Sequence, residues 1–133
     1  MPESNSTLTM SYKLKAAESD VAQYCVSVLD TTEGLVANPG GAAAGKIAGV
    51  LQDETLSAGE IGAYAVAGVS LVKIASAVAV GDLLIINGTD GRVKPKGSSN
   101  ASGTGIVGRA ISAASSANSL VKCVLAIPCE ITT

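Results

Sequence analysis

The apolar residues of this chain come in short runs, and nearly every run is closed by a turn signal. Residues 24–29 stop at Asp30-Thr31-Thr32-Glu33-Gly34, residues 35–37 at Asn38-Pro39-Gly40-Gly41, and residues 83–86 at Asn87-Gly88. Gly and Asn accept the positive φ of tight hairpin turns, so punctuation at this spacing favours frequent chain reversal. No stretch sustains the 3.6-residue apolar period of an amphipathic helix. The expected fold class is therefore all-β. Further strands are expected at 46–52, 61–66, 69–74, 92–95, 106–111 and 120–127, with a turn or single helical turn over 75–82.

The core of such a fold must be aliphatic. The chain has no Phe or Trp, and its only aromatic residues are Tyr12, Tyr24 and Tyr64. A chain of 133 residues suits one domain, buries about two-thirds of its unfolded surface, and needs no staple to fold. With Ala, Gly and Val so abundant, the sheets are expected to pack closely.

The two halves resemble each other. Asp30 to Val36 lies over Asn87 to Val93, Gly34 falling on Gly91 at an offset of 57. Ile47-Ala48-Gly49 lies over Ile106-Val107-Gly108, and Ile61, Ala63 and Ala65 over Leu120, Lys122 and Val124, both at an offset of 59. One half alone carries too few apolar residues for a core. Two closing on one another make a small barrel or sandwich and hide their edges. The expected organisation is a polar N-terminal arm over 1–15 and a single β domain over 16–133, with related halves at about 16–72 and 73–133.

Little catalytic chemistry is open to this chain. It contains no His, which removes His-based triads, general bases and metal ligands. Cys25, Cys123 and Cys129 match no zinc spacing and read as small buried hydrophobes. Gly103 to Gly108 fits GxGxxG, but a Ser/Asn loop precedes it and an apolar strand follows, whereas a dinucleotide site needs a strand before and a helix after. Asp53, Glu54 and Glu60 flank a turn, where solvated acids are ordinary. The sequons at Asn5, Asn87 and Asn100 have no secretion signal to give them meaning. The expectation is no enzyme, no cofactor and no metal.

Charge is divided unevenly. Residues 1–66 hold eight acids and three bases, and residues 67–133 three acids and six bases. That division suits head-to-tail contact between copies. A net charge of −2 gives no reason to expect nucleic acid. The longest apolar region, residues 63–72, is too short to span a bilayer as a helix, and residues 1–10 lack a signal-peptide pattern. A soluble protein made in a reducing cytoplasm is expected, with no membrane partner.

Two groups of residues are candidates for contact with a partner. Leu8, Met10 and Tyr12 are apolar beads in the polar arm, placed to anchor under a neighbouring subunit. Arg92, Lys94 and Lys96 alternate, so an extended chain presents them on one face, either as a solvated edge or as a surface for an acidic partner.

The ordered set of elements resembles the tailed-phage capsid cement (head decoration) proteins. It runs from Asp30, Gly34 and Val36 through Gly49-Val50-Leu51, Ala58-Gly59-Glu60 and Val66-Ala67-Gly68-Val69. It continues with Val78, Val80-Gly81-Asp82 and Leu84, then Asp90 to Val93 and Gly105 to Ile111. The resemblance covers about residues 16–127. It departs at Ala117-Asn118-Ser119, where an acidic turn is usual. It implies a virion surface protein, made in the host bacterial cytoplasm, that binds the outside of the assembled major capsid protein as a homotrimer and stabilises the shell. Another virion protein, such as an adhesin or fibre-base domain, is the alternative, and a nucleotide-binding or carboxylate-using hydrolase stands behind it.

Overall fold

The computed structural model describes residues 7–39, 46–87, 90–97 and 105–127. Among them the fold is all-β, as the turn punctuation requires. Seven strands form the first unit: β1 (Leu8–Leu14), β2 (Val21–Ala22), β3 (Val26–Leu29), β4 (Leu35–Ala37), β5 (Ile47–Leu51), β6 (Thr55–Leu56) and β7 (Ile61–Ala67). Five form the second: β8 (Val69–Lys73), β9 (Leu83–Ile86), β10 (Val93–Pro95), β11 (Ile106–Ala110) and β12 (Leu120–Leu125). In the first unit β1-β4-β3-β5-β7 close into a barrel, and β2 pairs with β6 beside it.

The second unit repeats that wiring. Its sheet runs β10-β9-β11-β12-β8, and a parallel bridge from Ile74 to Val93 joins its two ends. In the barrel the matching parallel pair is Leu14 with Val36. Each antiparallel pairing of the barrel has its counterpart: β1–β7 in β8–β12, β3–β4 in β9–β10, β3–β5 in β9–β11, and β5–β7 in β11–β12. Single hydrogen bonds repeat too. Gln52 N donates to Ala63 O at 2.9 Å, and Ile111 N to Lys122 O at 2.9 Å. Asp30 N donates to Leu35 O, and Asn87 N to Arg92 O.

The junction between the units lies at Gly68, which has φ +94, slightly before the expected division at 72. The polar arm expected over 1–15 needs a larger correction. Leu8–Leu14 is a barrel strand, laddered antiparallel along β7 from Leu8↔Ala67 to Lys13↔Ile61. The first barrel cannot close without it, because β1 alone bridges β4 and β7. Residues 1–6 lie outside the described residues.

Inside the barrel Leu14, Val21, Cys25, Val36, Ala48, Leu51, Leu56 and Tyr64 form one apolar cluster. Each fully buried Leu, Val or Tyr here withdraws apolar surface worth roughly 1.5–3 kcal/mol. The Tyr64 hydroxyl is satisfied by Ser27 Oγ at 2.9 Å, as a buried phenol requires, and its ring meets Tyr12 edge-on with centroids 5.8 Å apart. A larger cluster spans both units. Val26, Ile47, Val50 and Ala65, on the outer side of the barrel, pack with Val72, Ile74, Leu84, Val107 and Val121 of the second unit. Backbone bonds cross the same seam, Lys73 N to Tyr24 O at 3.0 Å and Val26 N to Gly91 O at 2.8 Å. Gly91 is required there, since a Cβ would stand 2.6 Å from Val26 O.

Candidate functional site

The sequence candidates separate onto two surfaces. Leu8, Met10 and Tyr12 lie on β1 and line a shallow apolar groove of ≈ 360 Å³ with Leu29, Ala48, Val66 and Ile127 among its other walls. Tyr12 packs against the barrel core. Leu8 is 63% exposed, Met10 49% and Leu29 42%. Alternation explains the arrangement. Leu8, Met10 and Tyr12 share the strand side of Leu14, which is wholly buried inside the barrel, so among the described residues the groove is the barrel interior continuing to one end. Exposed contiguous apolar surface of this kind marks interaction sites on folded proteins.

The basic stripe is reorganised by the fold. Arg92 is engaged: its Nε and Nη2 approach Asp90 Oδ2 at 2.8 and 2.7 Å, and its Nη1 donates to Asn118 Oδ1 at 3.1 Å. Partial burial pushes the Asp90 carboxyl up, but the Arg92 guanidinium and backbone N–H outweigh it and hold the group below the usual carboxylate range. Arg92 therefore clamps two turns of the second unit. Lys94 is half-buried on β10, opposite Ile85. Lys96 is exposed and its backbone N donates to Leu83 O at 2.7 Å.

Sequence reasoning did not find what Lys94 and Lys96 join. The outer face of β8–β12 presents a cross-strand row, Leu83↔Arg109↔Val124↔Val69, with Lys122 opposite Leu71. Val124 is 44% exposed, and Arg109 and Lys122 are exposed. No Asp or Glu lies on any of these five strands. The exposed–buried alternation of β12, from Leu120 to Leu125, was present in the sequence and already put Lys122 and Val124 on one side.

Asp82, just before β9, accepts from Ala79 N at 2.9 Å and Asp90 pairs with Arg92; the other described acids lie in the first unit. Asp53 and Glu60 line a depression with Thr55, Leu56, Gly59 and Ile61 at the β5–β7 end of the barrel, and Glu54, next to Asp53 in the chain, is exposed. Asp53 Oδ2 accepts from Ala63 N at 2.9 Å and Glu60 Oε1 from Ser57 N at 2.7 Å, so both brace turns. Asp30 is held below the ordinary carboxylate range, first by the Thr32 backbone N–H and then by Lys15 at 3.4 Å. The GxGxxG run leads into β11, with Gly108 inside the strand, and Gly103 and Thr104 lie outside the described residues. Cys25 and Cys123 are buried free thiols, and Cys129 also lies outside. Among the described residues no group of three or more Cys, Asp or Glu is placed to hold a metal ion, and no helix is long and apolar enough to cross a membrane.

Three comparisons bear on these surfaces. The sequence profile described as phage cement protein matches residues 9–125. Among curated proteins no sequence match is found. Among solved structures, the crystal structure of the head fiber gp8.5 N base in bacteriophage phi29 superposes with a TM-score of 0.60 at 17% identity, covering 96% of this chain and 99% of that one. At that identity the likeness is one of fold.

Proposed function

We propose, from the premise that this chain belongs to the phage cement protein family, that it docks as a homotrimer on the outer surface of the assembled major capsid lattice and stiffens the shell. A structural protein of the phage virion is what the family establishes. The finer reading rests on one observation, the apolar groove at the end of the first barrel. Leu8, Met10 and Tyr12 supply its wall on β1, and β1 is laddered to β7 from Leu8 to Lys13 and to β4 at Lys13 and Leu14. A rigid strand carrying exposed apolar side chains docks with little ordering cost. Repetition over many lattice points turns a modest contact into firm attachment.

In this reading the protein resides on the virion surface after synthesis in the host bacterial cytoplasm, and binds neither nucleic acid nor membrane. It acts without catalysis. The chain has no His; among the described carboxylates Asp30 and Asp90 pair with bases, and Glu18, Asp53, Glu60 and Asp82 accept backbone N–H bonds.

The test is co-sedimentation with matching shells stripped of the protein. Saturable binding at a fixed ratio to major capsid protein is expected, with a higher shell-disruption temperature. Leu8→Ser with Met10→Ser is expected to weaken binding at least tenfold while leaving the fold intact. Wild-type protein that leaves stripped shells unbound defeats the proposal. A second reading, that this domain is the base on which a head fibre stands, is favoured by the fold shared with the phi29 head fiber base. It predicts few copies per shell and no change in shell-disruption temperature.

A further inference from the structure

The shared wiring allows the two units to be compared position by position, and their charges differ in opposite senses. Val50 of the barrel corresponds to Arg109, and Ala63 to Lys122. Both changes put a cation on the outer face of the second sheet. At the turn before the last strand the change runs the other way. Asp53, Glu54 and Glu60 of the barrel correspond to Ser112, Ala113 and Ser119. The same molecule thus carries a cationic face set around Leu83 and Val124 and an anionic end set around Ile61, which is 70% exposed. Among the described residues the ion pairs are Lys15–Asp30 and Arg92–Asp90, and neither involves Arg109, Lys122, Glu54 or Glu60.

The barrel shows what such a face accepts. Its row Val26↔Val50↔Ala65 is the counterpart of Leu83↔Arg109↔Val124, and it is wholly buried under a β-unit of the same wiring. The second unit repeats the row, but Arg109 and Val124 stay exposed among the described residues, Arg109 Nη1 donating to Gly81 O at 2.7 Å.

We infer that the outer face of β9, β11 and β12, centred on Arg109, Lys122 and Val124, takes the acidic β5–β7 end of a second copy, centred on Glu54, Glu60 and Ile61, in a head-to-tail contact. The inference rests on the homo-oligomeric part of the function proposed above and names its surfaces. Opposite charges steer the encounter and fix its register, while the central apolar residues exclude water. Because the two patches differ, the contact is heterologous and closes into a ring or propagates.

Sedimentation equilibrium of the full-length protein tests it, with circular dichroism as the check on folding. Wild-type protein is expected to self-associate at low salt and to weaken as salt rises. Arg109→Glu with Lys122→Glu, and separately Glu54→Lys with Glu60→Lys, are each expected to weaken self-association at least tenfold. All four changes in one chain are expected to restore it. Self-association unaltered by either pair overturns the inference and leaves the oligomer standing. A monomer at every concentration that still co-sediments with stripped shells overturns it and leaves capsid docking intact. Self-association unchanged while the Arg109/Lys122 pair abolishes shell binding overturns it by giving that face to the capsid.

Discussion

The barrel and the second sheet share one wiring and differ in how they fill it. Tyr64 and Leu51, both wholly buried, plug the barrel; Cys123 and Ala110 hold the equivalent places in the second unit. The barrel therefore carries its own core. The second unit has smaller inward residues, and its interior belongs to the cluster completed by Val26, Ile47, Val50 and Ala65 of the barrel. One unit is self-sufficient inside and covered outside, while the other leans on its neighbour and, among the described residues, leaves Arg109 and Val124 exposed. Shared wiring with unequal filling explains why neither half reads as a complete domain in the sequence.

The largest effect that probes this comparison falls on a glycine shared by both units. Each unit has a register irregularity at corresponding strand pairs, β3–β5 near Gly49 in one and β9–β11 near Gly108 in the other. A Cβ on Gly108 would stand 2.0 Å from Val124 O, and one on Gly49 2.6 Å from Ala65 O. Both obstacles are backbone and cannot rotate away. Gly108→Ala and Gly49→Ala are each expected to cost about 4 kcal/mol or more, measured by urea unfolding. A glycine that tolerates Ala would show its strand pair to be looser than its twin.

The next test exchanges the residues that distinguish the two outer rows. Val50→Arg puts into the seam the residue that its counterpart Arg109 presents to solvent. Val50 is wholly buried, and burying an unpaired cation there is expected to destabilise by about 3–5 kcal/mol. The reverse exchange, Arg109→Val, is expected to change monomer stability by less than about 0.5 kcal/mol and to reduce solubility. Equal effects from the two exchanges would break the comparison at its centre.

A pH experiment separates the two interiors. Burial pushes the Cys123 thiol up to about 12, and burial also raises the Tyr64 hydroxyl, partly offset by its hydrogen bond to Ser27. A raised pKa on an acid favours the neutral form in the folded state. The stability from Cys123 is thus complete below its ordinary value of 9.0 and lost as pH rises from there towards 12, by at most about 4 kcal/mol. Cys123→Ala is expected to flatten the fall in stability over that window, and Tyr64→Phe to flatten it only at the alkaline end. Stability of the wild type that is level from pH 9 to 12 would show Cys123 to be less enclosed than its place in the sheet indicates.

Much of this architecture was legible before any coordinates. Turn dipeptides and apolar runs placed nine strands within one or two residues, and the offsets of 57 and 59 reappear in the pairing of Val36 and Val93 and in the glycines at 49 and 108. What escaped notice has physical reasons. Strand β1 looked like an arm because Leu8 and Met10 stay exposed and Ser and Thr fill its other side. Strands β2 and β6 are two residues each, too short for a periodic signal. The cationic face was invisible because Lys94, Arg109 and Lys122 come from three strands, and only the sheet order brings them together. Arg92 looked like their partner by alternation, but Asp90, two residues away, claims it.

The smallest expected effect concerns the turn before the last strand of each unit. Gly59 has φ +84 and Asn118, its counterpart, φ +71. Asn adopts this left-handed conformation more readily than other side chains, which is why the second unit keeps the turn without Gly. No atom lies within 4 Å of a Cβ built on Gly59, so space does not oppose a side chain there. Gly59→Asn is expected to shift stability by less than about 0.5 kcal/mol, whereas Gly59→Val, branched at Cβ, is expected to cost about 1–2 kcal/mol. Thermal unfolding of the pair resolves the difference. If Asn costs as much as Val, the two turns are alike in backbone angle only, and Asn118 is kept for the bond its side chain accepts from Arg92.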